Sequence, residues 1–191
     1  HLSNLCEAAK RHNLSCHLDG ARLMNAAVAS NMQANAFTAS FDSVSLCLSK
    51  GLAAPVGSVL VGDEAFIAQA RRLRKQLGGG MRQVGMLAAA GHYALDHNIS
   101  RLREDHERAF TLAKALQAID DVHIDIDAVD TNMVYMKLPD NLKAGLKPYL
   151  ANKGLVISPS KQAFRLVVHK DIPEQAVDQL ADAVASYMTQ N

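Results

Sequence analysis

The chain lacks the features that mark nucleic-acid-binding and membrane-spanning proteins. Its 20 basic and 19 acidic side chains leave a net charge of +1, so no electrostatic argument favours nucleic acid or an anionic membrane as a partner. No apolar run approaches the roughly 20 residues that span a bilayer. Tryptophan is absent, which excludes no function. With 191 residues, 49% of them hydrophobic, the chain is long enough for a sizeable core and for two domains.

Cysteine is also scarce. The three cysteines (Cys6, Cys16 and Cys47) are odd in number and have no metal-ligand spacing, which predicts reduced, buried thiols in a cytoplasmic protein. The first residues show no basic segment followed by an apolar one, so no signal peptide is expected. The chain starts at His1 without methionine, and residues 2–12 have helical spacing. We therefore expect a chain that starts inside a domain.

Two polar residues each follow an apolar run in the first part of the chain. Asp19 lies in the segment HLDGAR (17–22), and Lys50 lies in LCLSKG (46–51). Lys50 is the only charged residue between Ser43 and Val61. A lysine among apolar and small residues is expected to be partly desolvated, which favours the neutral, nucleophilic amine.

An acid and a lysine at the C-terminal ends of two successive strands are typical of a pyridoxal phosphate (PLP) enzyme. The lysine would carry the cofactor as a Schiff base, and the aspartate would keep the pyridine nitrogen protonated. Each residue also has a simpler interpretation. Lys50 alone would be a solvated surface residue, and Asp19 could form a local ion pair with Arg22 at the start of a helix. These simpler interpretations do not explain why both residues end strands.

Three further cations have two interpretations each. Lys75 and Arg82 flank the glycines at 78–80, where a phosphate could approach the backbone closely, or where a flexible loop could expose its charges. No strand precedes these glycines, which excludes a Walker or dinucleotide-binding loop. Arg165 interrupts an apolar strand, so it either extends to the sheet edge or faces a carboxylate that it binds with both ends of its guanidinium group.

Hydrophobic periodicity predicts an α/β segment to about residue 100 and a small α+β domain from about residue 120, joined by long helices. The last helix is predicted to start with Asp171 as cap, Pro173 at the first position and Glu174 as capping acid. The predicted helices are 2–12, 21–29, 64–76 (capped by Asp63), 83–96, 100–118, 142–151 and 173–188. The predicted strands are 14–18, 41–48, 58–61, 122–126, 132–138, 155–157 and 164–168.

Other chemistries have little support in the sequence. The eight histidines show no HExxH motif or clustered ligand spacing, so no metal site is indicated. Neither Ser49 nor Ser58 lies in a nucleophile-elbow pattern, and a serine hydrolase is therefore poorly supported.

The sequence resembles the low-specificity threonine aldolases, which belong to the β-eliminating lyase group of fold type I PLP enzymes. In combination the matching motifs are highly specific, and they cover nearly the whole chain. They are HLDGAR (17–22), DSVSLCLSKGLAAPVGSVLVG (42–62), RRLRKQLGGGMRQ (71–83), AAAGHYAL (88–95), RLREDH (101–106) and FRLVVH (164–169).

The resemblance implies a PLP-dependent cleavage of threonine-type β-hydroxy amino acids to glycine and an aldehyde. It implies Lys50 as the Schiff-base lysine and Asp19 as the partner of the pyridine nitrogen. Arg22 and Arg165 would bind the substrate carboxylate, and Lys75 and Arg82 would lie near the cofactor phosphate or a subunit boundary. It also implies a homotetramer, built from dimers with shared active sites, that takes a small amino-acid substrate.

The resemblance further implies that residues 1–103 are the C-terminal part of an aspartate-aminotransferase-like, PLP-binding large domain. Residues 104–191 would then be a linker helix and a small C-terminal α+β domain. Family members start with a longer stretch that holds the phosphate loop and the residue stacking on the pyridine ring, and this chain corresponds to their C-terminal part. Two alternatives remain open at this stage: a related PLP lyase acting by β-elimination, and an inactive fragment that only oligomerises or binds a partner.

Overall fold

The structure is a computed structural model that describes residues 1–158 and 162–190. The chain forms two compact units, His1–Arg101 and Leu102–Asn191, and each is described by itself. Among the described residues, no helix is long and apolar enough to cross a membrane.

The first unit is built on a three-stranded sheet in the order β1-β2-β3. β1 and β2 are parallel, and β2 and β3 are antiparallel. A parallel pair needs a crossover connection, and two short helices, α2 and α3, supply it. The strands are β1 (His17–Gly20), β2 (Ser43–Cys47) and β3 (Ser58–Gly62), and the helices are α1 (Leu2–Arg11), α2 (Leu23–Ser30), α3 (Ala34–Thr38), α4 (Glu64–Gln76) and α5 (Gly85–His97).

Most elements of this unit agree with the sequence-based prediction, and the end of α1 is the main exception. The strand predicted at 14–18 starts only at His17. Asn13 adopts a left-handed φ of 55°, and the Leu14 amide donates to the Ala9 carbonyl. Residues 12–14 therefore close helix α1 in a Schellman-type turn, and Leu14 belongs to that turn. The five-residue helix α3 was not predicted, because one turn gives no periodic signal.

The second unit packs helices against one face of an antiparallel sheet with the order β4-β5-β6. Its core includes Leu116, Val134, Leu146 and Val184, all fully buried. In β6 the buried side chains alternate with more exposed ones, as expected for a strand with one covered face. The elements are α6 (Leu102–Gln117), β4 (His123–Ile124), a 3-10 turn (Ile126–Ala128), β5 (Met133–Lys137), α7 (Asp140–Ala151), β6 (Phe164–Val167) and α8 (Gln175–Thr189).

Two strand predictions for the second unit differ from the structure. Residues 155–157 form no strand, because the Leu155 amide donates to the Leu150 carbonyl after Gly154 with φ 76°, which makes Leu155 part of the turn that ends α7. The strand predicted at 122–126 is also shorter, with two paired residues.

The start of α8 also differs from its prediction. The helix begins at Gln175, and its N-cap is Glu174 without a side-chain hydrogen bond, so Asp171 and Pro173 do not have the predicted cap and first-turn positions. Nη2 of Arg108 accounts for the difference, since it donates to the carbonyl oxygens of Ile172 and Pro173 at 2.8 and 2.9 Å. These bonds hold the segment in the approach to the helix.

Candidate active site

Asp19 and the Lys50 segment lie at the same end of two neighbouring parallel strands. Asp19 is the third residue of β1 and pairs in register with Ser45 of β2. Lys50 follows Cys47, the last residue of β2, by three positions. The carboxyl ends of parallel strands meet at one edge of a sheet, where α/β proteins bind their ligands. The topology therefore places the two predicted residues at the C-terminal edge of the β1–β2 pair.

Asp19 is exposed and does not make the local contacts of the simpler interpretation. Among the described residues, no ion pair joins Asp19 to Arg22. Helix α2 has Arg22 itself as its N-cap, without a side-chain cap hydrogen bond. The Asp19 carboxylate is therefore available to a ligand at this edge.

Lys50 lies in a ten-residue loop between β2 and β3 and is exposed. The expectation that it would be partly desolvated is therefore wrong for this structure. Its neighbours explain the difference, because Gly51, Leu52 and Ala54 are buried while the lysine lies in the bend that projects from the end of the strand. The apolar residues around Lys50 in the sequence are the inner side of the loop and do not cover the ammonium group.

Backbone hydrogen bonds close the loop of residues 48–57, which we call the Lys50 loop. The Leu48 amide donates to the Gly57 carbonyl at 3.0 Å, the Ala54 amide to the Leu48 carbonyl at 3.0 Å, and the Ala53 amide to the Lys50 carbonyl at 2.9 Å. Ala53 has a φ of 57°, which costs a non-glycine residue about 1 kcal/mol or more and persists only where the surroundings fix it. The lysine is therefore presented by a defined turn.

Gly20 fixes the close approach of β1 to β2 directly after Asp19. A Cβ atom at Gly20 would lie 2.6 Å from the backbone oxygen of Ser45 and 3.3 Å from Cβ of Leu23. A Cβ atom at 2.6 Å would clash with the Ser45 oxygen, and this oxygen cannot move aside easily because it belongs to the backbone. Glycine is therefore required here for a steric reason.

We expect Gly20→Ala to destabilise the first unit by about 1–3 kcal/mol, because the added methyl group must push the two strands apart. The free energy of urea-induced unfolding measures this. Gly85→Ala is the matched control, since a Cβ at the first residue of α5 meets nothing within 4 Å. Equal stability of the Gly20→Ala variant and wild type would contradict the close packing of β1 on β2.

Arg22 is placed between the end of β1 and the start of α2. Its side chain is half-buried, and its Nε atom is buried without a hydrogen-bond partner. A buried, unpaired donor on a charged group is costly unless a ligand satisfies it. The binding of a substrate carboxylate by Arg22 stays a prediction.

The glycines at 78–80 have a structural explanation at their first position. Gly78 has a φ of 80°, and its amide donates to the Lys75 carbonyl, while the Gly79 amide donates to the Arg74 carbonyl. This is the Schellman arrangement that ends α4. Asp63, as predicted, caps the other end by accepting from the Phe66 amide at 2.7 Å.

The cations around these glycines are exposed. Lys75 lies over Gly80, since a Cβ built there would come within 2.9 Å of the Lys75 Cδ atom. Both Lys75 and Arg82 are exposed. The structure thus supports a helix-ending turn at Gly78, and it leaves a role of the two cations in phosphate binding as a prediction.

Arg165 belongs to the second unit, on the side of β6 that faces away from its core. It is exposed, whereas Phe164 and Leu166 are buried, and it pairs in register with the half-exposed Tyr135 of β5. Arg165 also lines a cleft of about 410 Å³ together with Ser158 and His169. The cleft is lined mainly by apolar residues, among them the buried Leu112, Leu166 and Val177, so carboxylate binding by Arg165 stays a prediction.

Sequence reasoning missed Asn98, which touches the Lys50 loop from the end of α5. Its Nδ2 atom donates to the Leu52 carbonyl at 2.7 Å in a buried contact. An asparagine after a helical pattern predicts only the end of the helix, so no sequence signal indicates this long-range bond. The cysteine prediction is confirmed in part: all three are free, Cys6 is buried, and Cys16 and Cys47 are half-buried. No metal-binding cluster occurs within residues 1–158 and 162–190.

The β-eliminating lyase family matches this sequence over residues 1–139. The chain belongs to the β-eliminating lyase family. Low-specificity L-threonine aldolase 1 of Arabidopsis thaliana is 43% identical over 170 residues, which are 87% of this chain and 48% of that protein. The low specificity L-threonine aldolase of Escherichia coli K12 is 41% identical over 187 residues, 98% of this chain and 54% of that protein. This β-eliminating lyase chain thus spans about half the length of these relatives.

Solved structures confirm the fold of this family member. Threonine aldolase from Leishmania major superposes with a TM-score of 0.76 at 19% identity, covering 98% of this chain and 56% of that one. Serine palmitoyltransferase from Sphingomonas wittichii gives a TM-score of 0.71 at 15% identity, covering 99% of this chain and 51% of that one. The predicted fold class, the α/β fold of fold type I PLP enzymes, is therefore confirmed.

Proposed function

We propose that the protein cleaves threonine-type β-hydroxy amino acids to glycine and an aldehyde, with PLP as cofactor. The observation that supports this most directly is the parallel pairing of β1 with β2, which gives Asp19 and the Lys50 loop a common edge. An acid and a lysine on a common edge match the requirements of a PLP site. Relatives that are 41–43% identical are named low-specificity threonine aldolases, and this directs the proposal to retro-aldol cleavage.

In this proposal each residue of the first unit has one task. Lys50 holds the cofactor covalently through Nζ, and Asp19 keeps the pyridine nitrogen protonated with its carboxylate. When bound, PLP supplies an electron sink for the charge that is left on Cα of the substrate. Lys75 and Arg82 supply positive charge near the cofactor phosphate or at a subunit boundary.

Two arginines are proposed to bind the substrate carboxylate. Arg22 is half-buried and its Nε atom has no hydrogen-bond partner, and Arg165 is exposed. Arginine suits this task because its planar group can hold both carboxylate oxygens and fix the orientation of the amino acid. A fixed orientation decides which bond to Cα is aligned for cleavage.

The remaining proposals concern the whole protein. We propose a cytoplasmic homotetramer, assembled as a dimer of dimers with shared active sites. Residues 1–103 are proposed as the C-terminal part of a PLP-binding large domain, and residues 104–191 as a linker helix with a small α+β domain. Residues that complete the site are then expected outside this chain, whose Asp19 and Lys50 are exposed.

A related lyase that acts by β-elimination is the second candidate, and the description of the matching family supports it. The two reactions use the same lysine and aspartate but break different bonds. Retro-aldol cleavage of threonine breaks Cα–Cβ and gives glycine and acetaldehyde. Elimination breaks the Cβ–O bond and gives a 2-oxo acid and ammonia after hydrolysis. The products therefore separate the two candidates.

The deciding experiment incubates the complete protein and PLP with L-threonine and, separately, with L-allo-threonine. We expect equimolar glycine and acetaldehyde, detected by amino-acid analysis and by an aldehyde-reducing dehydrogenase. A 2-oxo acid with ammonia in place of these products would establish the β-elimination candidate. Absence of both product pairs, with no PLP bound, would refute both enzyme candidates.

A further inference from the structure

Asn98 is a buried polar residue at the end of α5 that contacts the Lys50 loop. Only 4% of it is exposed, and its Nδ2 atom donates to the Leu52 carbonyl oxygen at 2.7 Å. Its own backbone amide donates to the Ala94 carbonyl, so the last turn of the helix fixes the asparagine. The bond joins residues 46 positions apart in the chain.

The acceptor of this bond lies two residues after Lys50, on the buried side of the loop. Leu52 is 3% exposed, so without Asn98 its carbonyl would be enclosed and unpaired. The same helix also touches the start of the loop, since a Cβ built at Gly91 would lie 3.1 Å from a terminal methyl group of Leu48. Helix α5 thus contacts the loop on both sides of Lys50.

This contact explains how the backbone at Lys50 can be held in one position although the lysine side chain is exposed. The bonds within the loop set its shape, and the bond from Leu48 to Gly57 ties its two ends to β2 and β3, but none of them joins the segment after Lys50 to another element. The left-handed conformation of Ala53 also favours opening of the loop unless external contacts hold it. The Asn98 bond is such a contact, and it is shielded from competing water.

We propose that Asn98 is a positioning residue, which fastens the Lys50 loop to α5 so that Lys50 is held at the sheet edge. This inference rests on the proposed PLP chemistry of Lys50. Loss of the bond leaves a buried carbonyl unpaired, which changes a local opening equilibrium by about tenfold or more. Asn98 acts through the loop and needs no contact with cofactor or substrate.

The test uses Asn98→Asp in the complete protein, because aspartate keeps the shape of the side chain and removes the donor. Without PLP, we expect hydrogen exchange at the Ala53 and Ala54 amides to be about tenfold faster than in wild type. With PLP, we expect about tenfold weaker cofactor binding and a shift in the pH at which the absorption band of the bound cofactor changes. If Asn98→Asp does not fold, Asn98→Ser replaces it, since its shorter side chain does not reach Leu52.

Asn132→Asp is the matched control. Asn132 is 2% exposed, and its Nδ2 atom donates to the Val168 carbonyl at 2.8 Å in the second unit. We expect this variant to lose stability while the exchange of the Lys50 loop and the absorption of bound PLP stay as in wild type. Equal changes in both variants, or an unchanged absorption titration in Asn98→Asp, would overturn the positioning role.

The two readouts also separate this inference from the proposed function. If borohydride treatment of wild type with PLP leaves no reduced cofactor attached to the protein, the proposed function is wrong. The exchange rates of the Ala53 and Ala54 amides then decide alone whether Asn98 fastens the loop. Wild-type exchange rates in Asn98→Asp would refute that statement whether or not PLP binds.

Discussion

Lys50→Ala is expected to abolish covalent attachment of PLP to the complete protein. Lys50 is proposed to form the bond to the cofactor, and alanine has no amine to replace it. We expect borohydride treatment of wild type with PLP to add one reduced cofactor to the peptide that contains Lys50. The mutant should show no adduct by intact mass and no absorption band of a lysine-bound cofactor.

Lys75→Ala is the control for this prediction. Lys75 is another exposed lysine of the same unit, and PLP can react with any accessible lysine at high concentration. We expect the Lys75→Ala variant to retain a stoichiometric adduct on Lys50, even if its affinity for PLP falls. An unchanged adduct in the Lys50→Ala variant would show that another lysine is the attachment site, and the proposed assignment would fail.

The sequence predicted the parts of the fold that have a strong and extended signal. The apolar runs that end at Asp19 and before Lys50 predicted two strands, and the structure pairs β1 with β2 in parallel. The cap residue Asp63 predicted the start of α4, and its hydrogen bond is present. These signals are local in sequence and agree with the tertiary environment, which is why they could be interpreted correctly.

Two of the wrong strand predictions share a physical cause at the C-terminal ends of helices. Leu14 and Leu155 each follow a residue with positive φ, Asn13 and Gly154, and each donates its amide back to the preceding helix. Such an apolar residue belongs to the turn that closes the helix. Because it stands before further apolar residues, it was counted as the start of a strand. An asparagine or glycine after a helical pattern is the signal that corrects this error.

The sequence identified candidate site residues, but it could not predict their environment. The apolar neighbours of Lys50 were expected to desolvate it in part, and they form instead the inner side of a loop in which Lys50 is exposed. The order of residues in a loop does not show which of them face the core. The loop between β2 and β3 has no regular alternation of buried and exposed side chains from which this could be predicted. The bond from Asn98 to Leu52 was likewise not predictable, since it depends on the packing of α5.

Asp19→Asn is expected to leave the fold and Lys50 in place and to lower the rate of glycine formation from threonine by about 10²–10³-fold. The change removes one charge but keeps the shape of the side chain. The neutral amide cannot stabilise a protonated pyridine nitrogen, and the loss of such a preorganised electrostatic contact has about this effect on a rate. Steady-state kinetics of glycine formation at saturating PLP measures it.

Asp63→Asn provides the control, because it removes a carboxylate from the same unit and asparagine is an equally good helix cap. We expect its rate to stay within about twofold of wild type, since Asp63 only accepts the Phe66 amide at the start of α4. If Asp19→Asn and Asp63→Asn were equally active, Asp19 would have no electrostatic role in the reaction. A loss of rate confined to Asp19→Asn would place the charge requirement at the C-terminal end of β1, beside the parallel strand that leads to Lys50.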